Sequence, residues 1–259
     1  MKTLLLFGIL ALGAAAQTTE PPPIIKLIRK PGTDANAPRR YAAAKAAVDV
    51  VGMIAVTGLP ETWLVEQHYS FASVEDLDKA ISSPPAAGPS DSLGQSGEDL
   101  LAPPRTLMAV FRPAWSYRPD QAISLFPRAR YFHVSIFRIR PGREKDFAEL
   151  VKLRALSNDT INLDRPDLAY EVVSGGLSGT YIFLAPLVTL RAMDEGVPNT
   201  PAYAEDIAEA RAKAIANLAP DTEISREHLL LRVAPRISYV SDEFAAADPQ
   251  FWRGQPKEK

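Results

Sequence analysis

Three histidines, His68, His133 and His228, are the side chains of this sequence best suited to chemistry near neutral pH. An imidazole can take up a proton, read a hydroxyl or ligate a metal or haem iron. Each lies in a stretch that reads as a β-strand, so alternation assigns it a face. In Tyr131 to Arg140, the residues Phe132, Val134 and Ile136 form the apolar side, which leaves Tyr131, His133 and Ser135 opposite. In Glu227 to Ala234, Leu229, Leu231 and Val233 are expected to face helices, with His228, Leu230 and Arg232 on the other side. In Thr62 to Phe71, Glu66, His68 and Ser70 share one face, and Trp63, Val65, Gln67 and Tyr69 the other. All three histidines are therefore expected to look away from the helices. His133, His228 and His68 would then line one cavity with Tyr131, Glu66 and Arg232, and these six are the expected ligand-binding residues. Histidines from three separate strands show no metal-ligand spacing, so no metal is expected.

Other chemistry leaves no trace. The sequence lacks a phosphate-binding G-x-x-x-x-G-K-[ST] loop, a G-x-G-x-x-G fingerprint, an H-E-x-x-H motif and any cysteine. Gly175 to Gly179 has the wrong order for a nucleophile elbow and reads as a hairpin turn. Arg128, Arg130, Arg138, Arg140 and Arg143 are interleaved with Glu144 and Asp146, which reads as a solvated edge rather than an anion site. No catalytic residue is assigned.

The elements that carry these side chains occur twice. A strand ending on a basic residue runs into Pro-Gly at Ile24 to Lys30 before Pro31-Gly32, and again at His133 to Arg140 before Pro141-Gly142. Farther on, Pro113 to Asp120 and Pro235 to Asp242 share the pattern P-x-x-S-Y-x-x-D. Between these landmarks the first copy offers an Ala-rich helix over Pro38 to Val50, strands Met53 to Thr57 and Thr62 to Phe71, a helix Val74 to Ile81 capped by Ser73, and strand Leu107 to Phe111. The second offers helix Glu144 to Ser157, strands Leu168 to Ser174 and Thr180 to Leu187, helix Ala202 to Leu218 and strand Glu227 to Ala234. In the first of its helices Phe147, Leu150 and Val151 make an apolar face that Arg154 interrupts.

Each copy thus reads β-α-β-β-α-β, an α+β unit of the ferredoxin-like kind, over 24–117 and 131–239. A connector at 118–130 carries Leu125 and Phe126, and a tail at 240–259 keeps Phe244, Phe251 and Trp252, so both are expected to pack on the body. Ser82 to Arg105, rich in Pro, Gly and Ser, reads as a surface loop.

Strand, Pro-Gly, helix, hairpin, helix and strand, given twice, resemble the dimeric α/β-barrel superfamily as a tandem duplication spanning Ile24 to Tyr239. The resemblance implies two ferredoxin-like sheets paired face to face as a pseudo-dimeric barrel with an interior cavity. It also implies an activity range that takes in cofactor-independent monooxygenases, haem-degrading enzymes and chlorite-dismutase-like proteins. Haem enters as a cofactor on that resemblance alone.

The chain opens on Lys2 and an apolar run from Leu4 to Ala16 ending Ala14-Ala15-Ala16. That run is shorter than the roughly 18 residues a membrane span needs and reads as a signal peptide over 1–16. The remainder is then an exported protein, periplasmic or extracellular, with no membrane attachment after cleavage and no disulfide to stabilise it. A formal charge of −2 over 259 residues excludes a nucleic-acid partner of the ordinary basic kind. The resulting expectation is a small-molecule binder, monomeric as a pseudo-dimer or homodimeric, holding an apolar or aromatic ligand between two sheets; the alternative is a monooxygenase-like or haem-associated enzyme using that same space.

Overall fold

The computed structural model describes residues 20–32, 48–69, 104–160, 163–194 and 209–254. The expected leader, the helix at Val74 to Ile81, nearly all of Ser82 to Arg105 and the first part of the Pro38 to Val50 helix lie outside the described residues. Among these described residues are eight strands: β1 Ile24–Pro31, β2 Asp49–Ala55, β3 Glu61–His68, β4 Arg105–Phe111, β5 Tyr131–Ile139, β6 Leu168–Ser174, β7 Thr180–Leu187 and β8 Glu223–Val233. Helices α1 Pro119–Leu125, α2 Glu144–Thr160, α3 Arg191–Asp194, α4 Glu209–Thr222, α5 Asp242–Ala245 and α6 Pro249–Arg253 complete the described elements. Asp49 and Val50 belong to β2 rather than to the end of a helix, and β8 starts four residues before its expected Glu227, directly after α4.

The strands close into one antiparallel barrel in the order β1-β3-β2-β8-β5-β7-β6-β4. Taken by halves, the order is 4-1-3-2 in the first and the corresponding 8-5-7-6 in the second. The halves join edge to edge, β2 against β8 through Met53↔Val233 and β4 against β6 through Phe111↔Tyr170. Closure leaves the sheet no outer edge strand.

Alternation decides what fills the barrel. Every strand sends apolar side chains to one cluster, among them Leu27, Met53, Trp63, Ala109, Phe132, Val134, Tyr170, Leu184 and Leu231. These are among the most deeply buried residues of the chain, with Trp63, Tyr170 and Leu231 at 0 % exposure. The barrel interior is therefore a packed core, and the expected ligand space between two sheets is filled by side chains.

The same cluster extends beyond one mouth of the barrel. Ala122 and Ile123 of α1, Phe126 after it, and Phe244, Ala245 and Trp252 of α5 and α6 all join it. Trp252 donates from Nε1 to the Pro127 carbonyl at 2.6 Å, which ties the tail to the connector. Phe126 meets Phe132 edge-on at 4.8 Å, at the start of β5.

After β4 and after β8 the chain makes the same turn. A 3₁₀ turn at Pro113–Trp115, and another at Pro235–Ile237, each begins on a proline whose missing N–H would have had no partner there. The Ser116 hydroxyl donates to Arg112 O at 3.0 Å and accepts from Ala169 N at 2.9 Å. The Ser238 hydroxyl donates to Ala234 O at 2.9 Å and accepts from Gly52 N at 2.9 Å. Next to them Tyr117 exchanges two backbone bonds with Asp167, and Tyr239 two with Val50. The shared P-x-x-S-Y pattern is thus a clasp in which the turn after each half's last strand grips the second strand of the other half. At Gly52 the approach is so close that a Cβ would stand 2.4 Å from Ile237 O.

Candidate functional site

A second apolar cluster lies outside the barrel, where α2 and α4 cover β5, β6 and β7. It comprises Phe137, Ile139, Phe147, Leu150, Val151, Ala169, Tyr181 and Phe183, with Ile215 and Leu218 of α4 packed against it. Between these helices and the sheet lies a cavity of about 540 Å³, within the usual range for a small-molecule site.

Its sheet wall follows from register. Ser135 of β5 stands opposite Phe183 of β7 on one side and His228 of β8 on the other. His133 and Phe137, two residues to either side on β5, point to the same face. The helix wall comes from Phe147, Leu150, Val151, Arg154 and Ser157, which recur at helical spacing along α2. Arg165 and Asp167, between α2 and β6, and Glu223 and Arg226 at the start of β8 supply further polar groups.

This reverses the faces expected from sequence. Phe132, Val134, Leu229 and Leu231 enter the barrel, while His133 and His228 point outward, toward the helices. The six expected site residues are likewise not brought together. His133 and His228 meet as a stacked pair, with ring centroids 5.5 Å apart and planes 11° from parallel. His68 and Glu66 lie on β3 in the other half, bonded to each other at 3.3 Å, with Lys26 3.2 Å from Glu66. Tyr131 and Arg232 are register partners at one end of β5 and β8 and do not line the cavity.

Burial sets the charge state of the paired rings. It pushes the His133 pKa down to about 4, with the positive charges of Arg165, His228 and Arg154 acting in the same direction. His228 is lowered too, first by burial and then by Arg226. Its Nδ1 shares a 2.9 Å hydrogen bond with the Ser135 hydroxyl. Near neutral pH the pair is uncharged, so each ring keeps a nitrogen lone pair that can accept a proton or bind a donor.

Around the pair the charges are matched. Arg154 lies 3.1 Å from the Asp167 carboxylate and 4.4 Å over the Phe183 ring. Asp167 also accepts from Tyr117 N at 3.3 Å, within the first clasp. Burial pushes the Asp167 carboxyl above its ordinary range in spite of Arg154. Arg226 holds Glu223 through two hydrogen bonds of 2.9 and 2.6 Å and lies 5.2 Å over Phe137. Arg165 donates to the Ala192 carbonyl at 2.7 Å. Arg154 Nε is buried with no hydrogen-bond partner among the described residues, an unusual state for a charged donor.

Sequence reasoning passed over Arg154, Arg165 and Asp167. One signal was present, because Arg154 breaks the apolar face of α2 at the position that meets the cavity. Asp167 carried none, since its role depends on the clasp with Tyr117. Among the described residues no group of three or more His, Asp or Glu side chains could hold a metal ion. A haem would need an uncharged imidazole and cations for its carboxylates, and His133 with Arg154 and Arg165 would meet those needs.

No family model and no curated protein matches the chain. Among solved structures, an anthrone oxidase-like protein is similar over 86 % of this chain and 95 % of its own, at 12 % identity and a TM-score of 0.54. A mutant chlorite dismutase from Candidatus Nitrospira defluvii is similar over 86 % and 94 %, at 9 % identity and a TM-score of 0.45, too low for any argument. The first likeness is one of fold alone.

Proposed function

We propose that this chain, which has the dimeric α/β-barrel fold, is an exported protein that binds a small aromatic molecule in the cavity under α2 and α4. One observation carries the reading: Phe137, Phe147 and Phe183 supply flat apolar walls beside the stacked, uncharged pair of His133 and His228. Aromatic walls with a few fixed polar groups are what a small-molecule site requires. The repeated strand order and the repeated clasp support a tandem duplication, so a single chain would supply both halves of what the superfamily builds from two. The test is a fluorescence titration with 2-naphthol. Saturable binding is expected, and Phe183→Trp, which fills the cavity, should weaken it by about tenfold, ~1.4 kcal/mol. Absence of saturable binding, or a variant that binds as well as the natural chain, would overturn the reading.

A second reading is favoured by the neutral imidazoles. An imidazole beside a bound phenol or enol to take its proton is what a cofactor-independent monooxygenase would use, and the likeness to an anthrone oxidase-like protein accords with it. Oxygen uptake on addition of an anthrone, lost in His133→Ala, would establish that reading. A haem-associated variant of it would instead give an absorption band when the chain is mixed with haem.

A further inference from the structure

We propose that the molecule bound in this cavity is an aromatic acid, its carboxylate accepted by Arg154 and its ring laid against the phenylalanines. The proposal rests on the reading above that the cavity binds an aromatic ligand, and adds which class of aromatic it takes.

Arg154 carries the argument. It lines the cavity, with its side chain about 30 % exposed. Asp167 takes one of its terminal nitrogens, which leaves guanidinium N–H donors for an acceptor in the cavity. The side chain cannot easily turn away to find one. Asp167 holds the guanidinium at 3.1 Å from one side, and the Phe183 ring lies beneath it at 4.4 Å. Asp167 is itself fixed, because its backbone exchanges two hydrogen bonds with Tyr117. A planar fork held this way is preorganised for a carboxylate, which can accept two of its N–H groups at once.

The surroundings favour an anion over a cation. The two acids of the lining each already face an arginine, Asp167 facing Arg154 and Glu223 facing Arg226. An incoming carboxylate thus meets no carboxylate without its own cation. The low pKa of His133 has Arg165 and Arg154 among its causes, so positive potential reaches the paired rings. An ammonium in that place would meet guanidinium groups and, among the described lining residues, only carboxyls that already face an arginine. The aromatic half follows from Phe137, Phe147 and Phe183, whose mutual centroid distances of 5.4, 5.4 and 6.3 Å leave faces and edges for a further ring.

The test compares two probes of nearly equal shape, 2-naphthoate and 2-naphthamide, titrated calorimetrically at pH 7 into the whole chain. The acid should bind about tenfold more tightly or better, the ordinary value of a charge-assisted hydrogen bond. In Arg154→Lys a cation still faces Asp167 but the planar fork is gone, and the preference should fall to about threefold or less. If that variant does not fold, the two probes on the natural chain decide alone. Equal affinity for acid and amide overturns the proposal and leaves the aromatic cavity standing, whereas failure of both probes to bind overturns both.

Discussion

Replacing Gly52 by alanine should loosen the second clasp, and the structure sets the size of the effect. A Cβ at this position would lie 2.4 Å from Ile237 O, 2.5 Å from Ile237 Cγ1 and 2.8 Å from Ile237 C. Two of those atoms are backbone, so no rotamer change relieves the overlap, and the 3₁₀ turn must retreat by about 1 Å. Retreat strains or breaks the bond from Gly52 N to Ser238 Oγ and disturbs the paired bonds of Val50 and Tyr239. Overpacking costs about 1–3 kcal/mol, and one lost hydrogen bond about 0.5–1.5 kcal/mol. Alanine regains about 0.4–1 kcal/mol by restricting the unfolded chain. The net is a loss of about 2–3 kcal/mol, which for a protein of this size lowers Tm by about 4–12 °C. Thermal unfolding followed by circular dichroism measures it. Ser238→Ala, which removes this bond and the one to Ala234 O without the clash, should fall between the variant and the natural chain. A Gly52→Ala protein melting within about 2 °C of the natural one would mean that the turn can slide, and the clasp would lose its structural role.

Two further outcomes follow from the cavity. In an NMR titration the His133 ring should protonate near 4 rather than near 6.5. Between those values the unfolded chain binds more protons than the folded one, so stability should rise with pH across that window and level off above it; a ring titrating near 6.5 would show that His133 is not enclosed. Arg154→Ala should cost about 3 kcal/mol in urea denaturation, because it leaves the Asp167 carboxylate buried without its cation. Asp167→Asn should cost less than half of that, since burial already pushes this carboxyl toward its neutral form, and an equal cost for the two would refute the assignment.

The strands were legible in the residues because their patterns are local. β6 and β7 run over the very residues that alternation and the glycine turn between them assign, and β5 ends one residue early. Asp49 and Val50 were not legible, because an alanine-rich run continues into them with no stop signal, and β2 is chosen by pairing with β3 and by the grip of Tyr239. The faces were misassigned for a physical reason. Both sides of β5 are covered, one by the barrel and the other by helices, so alternation separates two buried faces rather than a wet one from a dry one. The barrel interior takes a mainly apolar set, Phe132 and Val134 among it. The helix-covered side, which holds a cavity, can accommodate His133 and Ser135. Arg154 on α2 and Asp167 before β6 are 13 residues apart, with no periodicity linking them, and the fold sets them 3.1 Å from each other.

The reciprocal grip also constrains the order in which the molecule can be assembled. The second strand of the first half finds its outer neighbour only in Leu231 to Val233 and its clasp only in Ser238 and Tyr239. Those residues leave the ribosome long after the strand they complete. Until they do, the early half must wait as an open sheet with an unpaired flank, so ring closure must await the second half.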